Sequence, residues 1–262
     1  MRKLLVLSVV LFCCGFFCLS QGWAQKTTKS GAGCATPGLN ISITFCNGGG
    51  GPSFVQGKLG PDLGNSGATT TAATFTAPVG SGHSVVGAVT WSAVANPYSV
   101  SVTDDKSNSY TVIDTNIQGT VCKMATFYSI NLTNSPSIIT ATATGSSTFW
   151  RIIIDEFSGV ASLDQHTGQP QTNVSGTNAM TSGNVTTGSN GELVYGAGED
   201  ICNSLTTVSD GTGFTATESG TSSDNQPMYG EYLVQPTGEA TAATFSPAGS
   251  VDTITNVMTF VP

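Results

Sequence analysis

Phe149-Trp150-Arg151-Ile152-Ile153-Ile154-Asp155-Glu156-Phe157-Ser158-Gly159 is the densest mixture of aromatic, β-branched and charged residues beyond the N-terminal segment. Read with period two, one face carries Trp150, Ile152, Ile154 and Glu156, and the other Phe149, Arg151, Ile153, Asp155 and Phe157. Such a run predicts a central strand. Asp155 and Glu156 are adjacent, so a strand sends them to opposite faces and they cannot act as one acid–base pair.

Outward from this run, short alternating segments recur at turn-sized intervals. Strands are expected at 54–56, 70–76, 84–91, 98–103, 110–114, 121–130 and 138–144 before it. After it they are expected at 178–181, 192–197, 214–218, 228–234, 240–245 and 254–261. Gly-Ser-Gly, Ala-Asn-Pro, Thr-Asn-Ser-Pro, Ser-Asn-Gly and Pro-Ala-Gly separate them. No ten-residue window shows apolar residues at helical spacing. The expected fold is all-β: a two-sheet antiparallel sandwich, jelly-roll-like, with Trp91, Tyr128, Trp150, Ile152, Ile154, Leu193 and Met258 in its core. Thr71–Pro78 and Thr241–Pro247 resemble each other, and convergence explains this better than duplication because nothing else aligns at that offset.

The N-terminus reads differently. Met1-Arg2-Lys3, the apolar stretch Leu4–Leu19 and Gly22-Trp23-Ala24 form a signal peptide over 1–24. Residues 25–52 are expected to be a flexible segment with a cystine loop and a Gly-rich linker, Gly48–Gly51 before Pro52. The main domain is then 53–262. No transmembrane span is expected after cleavage, and the destination is extracellular, at the cell surface or periplasmic. Export makes disulfides the default for Cys34, Cys46, Cys122 and Cys202, with Cys34–Cys46 and Cys122–Cys202 the favoured pairing and a buried free thiol at Cys122 the alternative.

Charge excludes one class of partner. From Ser53 onward there are 4 basic and 16 acidic residues, a balance of 4 − 16 = −12. That surface repels phosphate backbones, so no nucleic acid is expected. Abundant Thr, Ser, Gly and Asn instead fit an exported β protein kept soluble by hydroxyls and amides.

Candidate chemistry is sparse. His83 and His166 are the only histidines, both read as solvated loop residues without metal spacing. No Gly-x-Ser-x-Gly elbow is present. Asp104, Asp105 and Asn108 offer oxygens for Ca2+, the one cofactor to consider, although Asp and Asn also serve turns that satisfy their own backbone. Phe149, Arg151, Asp155 and Phe157 share a face that reads either as a half-buried structural surface or as the floor of a sugar-binding groove. Glu192, Glu199, Asp200 and Glu231 could join an acid pair only through the fold. Exported glutamic peptidases combine a sandwich with a Gln/Glu pair, but their Trp-x-Gly-x-Asp-type surroundings are missing here. Asn40, Asn131, Asn173 and Asn184 begin sequons, which matter only in a glycosylating source.

Several segments in order carry a resemblance: Ser101-Val102-Thr103-Asp104 with Asn108-Ser109-Tyr110-Thr111, Asp155–Val160 with Leu163-Asp164, Glu192–Gly198, and Gly213-Phe214-Thr215. Together, over residues 53–262, they resemble an uncharacterised secreted β-sandwich domain of soil-bacterial surface and extracellular proteins. The chain departs from it at Lys106-Ser107 and in its cysteines. The resemblance implies a sandwich and export and no catalytic residues. The expected function is a non-catalytic binding or adhesion module for polysaccharide or a cell-surface component. The alternatives are an exported glycosidase or acid peptidase using paired carboxylates, and a subunit self-associating through its strand edges; the oligomeric state is open.

Overall fold

A computed structural model describes residues 50–262 apart from 65, 93–98, 120–121, 145–147, 201–205, 221–223 and 225, together with 12–13 and 15–16. The last two pieces, β1 (Phe12–Cys13) and β2 (Gly15–Phe16), pair antiparallel in a unit separate from Gly51–Pro262. Residues 17–49, which hold the expected cystine loop, lie outside the described residues.

The unit Gly51–Pro262 is all-β and antiparallel, with no helix among the described residues. Its first half contains β3 (Ser53–Leu59), β4 (Thr70–Thr74), β5 (Ser84–Ser92), β6 (Val100–Asp104), β7 (Thr111–Gln118), β8 (Cys122–Ser129), β9 (Ile138–Ala143) and β10 (Thr148–Ser158). The second contains β11 (Ser162–Val174), β12 (Met180–Thr181), β13 (Val185–Thr186), β14 (Glu192–Asp200) and β15 (Val208–Asp210). It continues with β16 (Thr215–Ser219), β17 (Met228–Gln235), β18 (Ala240–Thr241), β19 (Thr244–Pro247) and β20 (Val251–Val261).

Strand order repeats between the halves. The first makes a five-stranded sheet β3-β10-β5-β8-β7 and a three-stranded sheet β4-β9-β6. The second makes β11-β20-β14-β17-β16, with its smaller sheet split into β12-β19-β15 and β13-β18. Each half is thus a jelly roll whose larger sheet has gained an edge strand, β7 or β16. The expected sandwich is present twice. Local sequence follows: Ser53-Phe54-Val55-Gln56 corresponds to Ser162-Leu163-Asp164-Gln165. Gly82 and Gly191, each at φ 78°, open β5 and β14. The Thr71 and Thr241 segments occupy non-equivalent strands, β4 and β18–β19, so their likeness is convergent and the true repeat has a different offset.

The halves pack large sheet on large sheet. β3 lies against β16 and β7 against β11; β10 meets β17 and β8 meets β20; β5 crosses β14. Exchanging the halves maps each of these contacts onto its mate, the mark of an approximate two-fold axis through the β5–β14 crossing, although β7 also touches β20. Four layers result, with three apolar interiors. In the first, Val85, Val89, Trp91, Phe127, Trp150, Ile152 and Ile154 pack on Ala73, Val102, Ile139 and Ala141 of the small sheet. The second lies between the halves and holds Val86, Met124, Ile153, Phe157, Leu193, Tyr195, Met258 and Phe260, with Tyr128 partly buried against it. The third, outside β14 and β20, gathers Val194, Val257, Met180 and Phe245.

The run 149–159 is central, as its composition predicts. Trp150 stacks on Trp91 of β5 with ring centroids 5.7 Å apart. The polar strand β11 was not legible. Ser162–Val174 contains Gly168 and Pro170 and lies on a sheet edge, where a missing N–H is tolerated. Trp150→Ala should cost about 3–5 kcal/mol in denaturant unfolding through lost burial and the cavity left behind. Ile117→Ala, on the edge strand β7 and 40 % exposed, should change stability by less than about 0.5 kcal/mol. Equal costs for the two would contradict the layer assignment.

Candidate functional site

The face proposed as a groove floor is interior. Asp155 and Phe157 have no exposed surface, and Arg151 is buried. Arg151 Nη1 reaches Asp224 Oδ2 at 2.6 Å and the Gln226 carbonyl at 3.2 Å, both from the second half, while Nε donates to Gly60 O. Phe157 meets Tyr195 and Tyr232 edge-on across the seam, and Phe54 stacks on Tyr232 at 5.5 Å. Phe149 sits half-buried at φ 57°, where the β10–β5 register slips between Thr148 and Arg151. Arg151, Asp155 and Phe157 therefore join the halves, and a ligand could reach them only by parting the sheets. Sequence reasoning placed them on one face correctly and missed that a second half covers that face.

Asp155 is the polar centre of the seam. Its Oδ2 accepts the Tyr195 hydroxyl at 2.7 Å and the Thr217 hydroxyl at 2.9 Å. Oδ1 is buried with no hydrogen-bond partner. Gly57 makes room for it, because a Cβ there would stand 2.3 Å from that oxygen. Burial pushes the Asp155 carboxyl up to about 7, assisted by the Glu218 charge and opposed by the two hydroxyls.

Glu156 points the other way, as period two requires. Oε2 accepts Gln56 Nε2 at 2.6 Å; Oε1 accepts the Gly80 N–H at 2.8 Å and faces His83 Nδ1 at 2.5 Å. Gln56 also exchanges two hydrogen bonds with the Ala77 backbone. Gly80 lets the imidazole lie close, since a Cβ at 80 would be 2.6 Å from the ring. This Gln/Glu/His constellation escaped sequence reasoning because Gln56 and His83 lie 100 and 73 residues before Glu156. Glu156 is buried, so the group pins the β4–β5 connection to the large sheet.

The other candidates resolve similarly. Asp104 Oδ1 accepts the N–H groups of Lys106 and Asn108, and Oδ2 accepts Asn108 Nδ2 and the Tyr110 hydroxyl. Asp105 accepts the N–H groups of Ser137 and Ile138 and pairs with Lys106. The Asp104–Asn108 oxygens singled out for Ca2+ thus already close a turn against the neighbouring connection. His166 is not in a loop. It lies in β11, with Nδ1 2.8 Å from both carboxyl oxygens of Asp114 on β7. His83 likewise is not merely solvated. Cys122 is buried at the start of β8, while Cys34, Cys46 and Cys202 lie outside the described residues.

One described surface has a regular chemical pattern. On the sheet β4-β9-β6, Thr71, Ala73, Val102, Ile139 and Ala141 point inward. The alternate residues face outward, and strand register aligns them in rows: Thr70–Thr142–Ser101 and Ala72–Thr140–Thr103. Neither row carries a charge. Comparison with family models, with curated proteins and with solved structures finds no match to this chain.

Asp155 is not the only carboxyl that burial raises. Glu231 goes up to about 8 although Gly211 and Thr244 donate N–H groups to it, and Glu199 goes well above its ordinary value. A carboxyl raised by folding binds its proton more tightly in the folded state. Its contribution is therefore complete below about pH 4 and lost as pH rises through 7 for Asp155 and 8 for Glu231. Melting temperature should fall between pH 4 and pH 8.5. Asp155→Asn should remove part of that slope, on the order of 4 kcal/mol from a three-unit shift. An unchanged slope in this variant would exclude Asp155 as a source.

Proposed function

We propose that this chain is an exported, non-catalytic binding or adhesion module for neutral polysaccharide or a carbohydrate-bearing cell surface. One observation carries the reading: the carboxyls most shifted by burial, Asp155, Glu199 and Glu231, have no exposed surface. A general acid must reach its substrate, and these groups face protein. Low charge density, hydroxyl-rich strands and the likeness to secreted sandwich domains support binding rather than turnover. Export rests on the N-terminal segment and on that same likeness. The alternative hydrolase would use Gln56, Glu156 and His83, an acid constellation whose His83 is part-exposed.

Pull-down of the purified protein on amorphous cellulose, mannan and a β-1,3-glucan should retain it on at least one, with no reducing sugar released. Sustained sugar or peptide release that is lost in Glu156→Gln, with folding intact, would replace this reading by the hydrolase. Export also predicts oxidation of the mature chain. Peptide mapping without reductant should find Cys122 linked to Cys202, and an alkylatable Cys122 thiol in exported material would contradict that pairing.

A further inference from the structure

We propose that the edge of the seam where β3 lies on β16 is a proton-operated latch, shut while Asp155 carries its proton and parting when Asp155 ionises. This goes beyond the binding reading above and does not rest on it.

The surroundings of Asp155 are built for a neutral group. It projects from β10 into the seam with no exposed surface. β14 offers it the Tyr195 hydroxyl and β16 the Thr217 hydroxyl, both to Oδ2, while Oδ1 has no partner. β5 sets Val86 in register with it, and β17 passes Gly230, where a Cβ would stand 3.4 Å from Oδ2. Tyr232, also on β17, packs its ring on Phe54 and Phe157. β3 contributes Gly57, where a Cβ would meet both Asp155 Oδ1 and Glu218 Cγ. Two acidic side chains therefore converge on Gly57 from opposite halves. The cations of these strands are directed elsewhere: Arg151 is held by Asp224, and Lys58, next to Gly57, is exposed.

An ionised Asp155 would thus be a buried charge beside a like charge, with one oxygen unsatisfied, and only water could complete its shell. The adjoining edge is the short way to water. β16 is an edge strand, paired to β17 alone, and its ladder slips between Ala216 and Ser219. Thr217 and Glu218 stand in that bulge, where pairing is locally disrupted, so the residues facing Asp155 sit at the loosest point of β16. The opposite edge is held by amides that do not titrate, Asn116 to Asn256 and Gln118 to Gln171, beside the Asp114–His166 pair.

The sign follows from linkage. Burial raises the Asp155 carboxyl from 3.8 to about 7, so the shut form holds its proton more tightly than the parted, wetted one. The shut form is fully favoured below about pH 4 and loses ground up to about ten-fold per pH unit until pH 7, with no further loss above.

Hydroxyl-radical footprinting of the full chain at pH 5 and pH 8 tests this. Phe157 and Tyr195 have no exposed surface in the shut seam, and Phe127 and Trp91, in the first half's own interior, are the reference. Oxidation of Phe157 and Tyr195 relative to that reference is expected to rise about five-fold or more at pH 8 in wild type. Asp155→Asn, a neutral carboxamide of the same shape, should abolish the rise, and His166→Gln, at the opposite edge, should leave it unchanged. If circular dichroism shows Asp155→Asn misfolded, Glu218→Gln replaces it and should make the rise smaller by removing the like charge. No rise in wild type, or an equal rise at Phe127 and Trp91, would overturn the latch. So would a full rise persisting in folded Asp155→Asn or, in its place, Glu218→Gln, or a rise abolished by His166→Gln.

Discussion

The packing of one large sheet on the other is the constraint from which the rest follows. Because each large sheet also carries a smaller one outside, its central strands are covered on both faces. Every residue of β14 is buried, and all of β5 except Ser92. A polar side chain on such a strand must find a partner within the protein or lose its charge. Arg151 answers with Asp224, Asp155 with Tyr195 and Thr217, and Glu231 with two backbone N–H groups. Glycine fills the remaining need. A Cβ at Gly87 would stand 2.3 Å from the Ile153 carbonyl, and one at Gly196 2.6 Å from Ala243 Cβ.

The same constraint separates what the sequence shows from what it hides. Alternation places Trp150, Ile152 and Ile154 on one face and Ile153, Asp155 and Phe157 on the other, and both placements hold. The apolar character of both faces was itself the sign of a strand covered twice, since a two-layer sandwich wets one face of each sheet. Arg151 and Asp155 disguised that sign by resembling a solvent-facing pair. β11 was missed for the converse reason: as an edge it needs little apolar surface, so Asp164, Gln165, Thr167 and Gln169 read as loop. The constellation around Glu156 depends on the return of β10 beside β3, a long-range pairing that no local spacing reveals.

Buried acids also give the seam a chemical character distinct from its apolar centre. On one edge, where β3 meets β16, the joining group is a carboxyl most at ease when protonated. On the other, neutral amides tie β7 to β20, Asn116 Nδ2 to Asn256 Oδ1, and to β11, Gln118 Nε2 to Gln171 O, beside the Asp114–His166 pair. The approximate symmetry of the backbone is therefore not a symmetry of interactions.

The connection between halves is only Gly159-Val160-Ala161. Two folded bodies that meet like the subunits of a dimer are here held by three residues, with the Ala161 N–H fixed to the Val261 carbonyl. A dimer dissociates on dilution, but a tether this short keeps the partner's local concentration high at any dilution. The second jelly roll serves as a permanent, built-in subunit, and a protein arranged this way keeps its inner sheets covered however dilute it becomes.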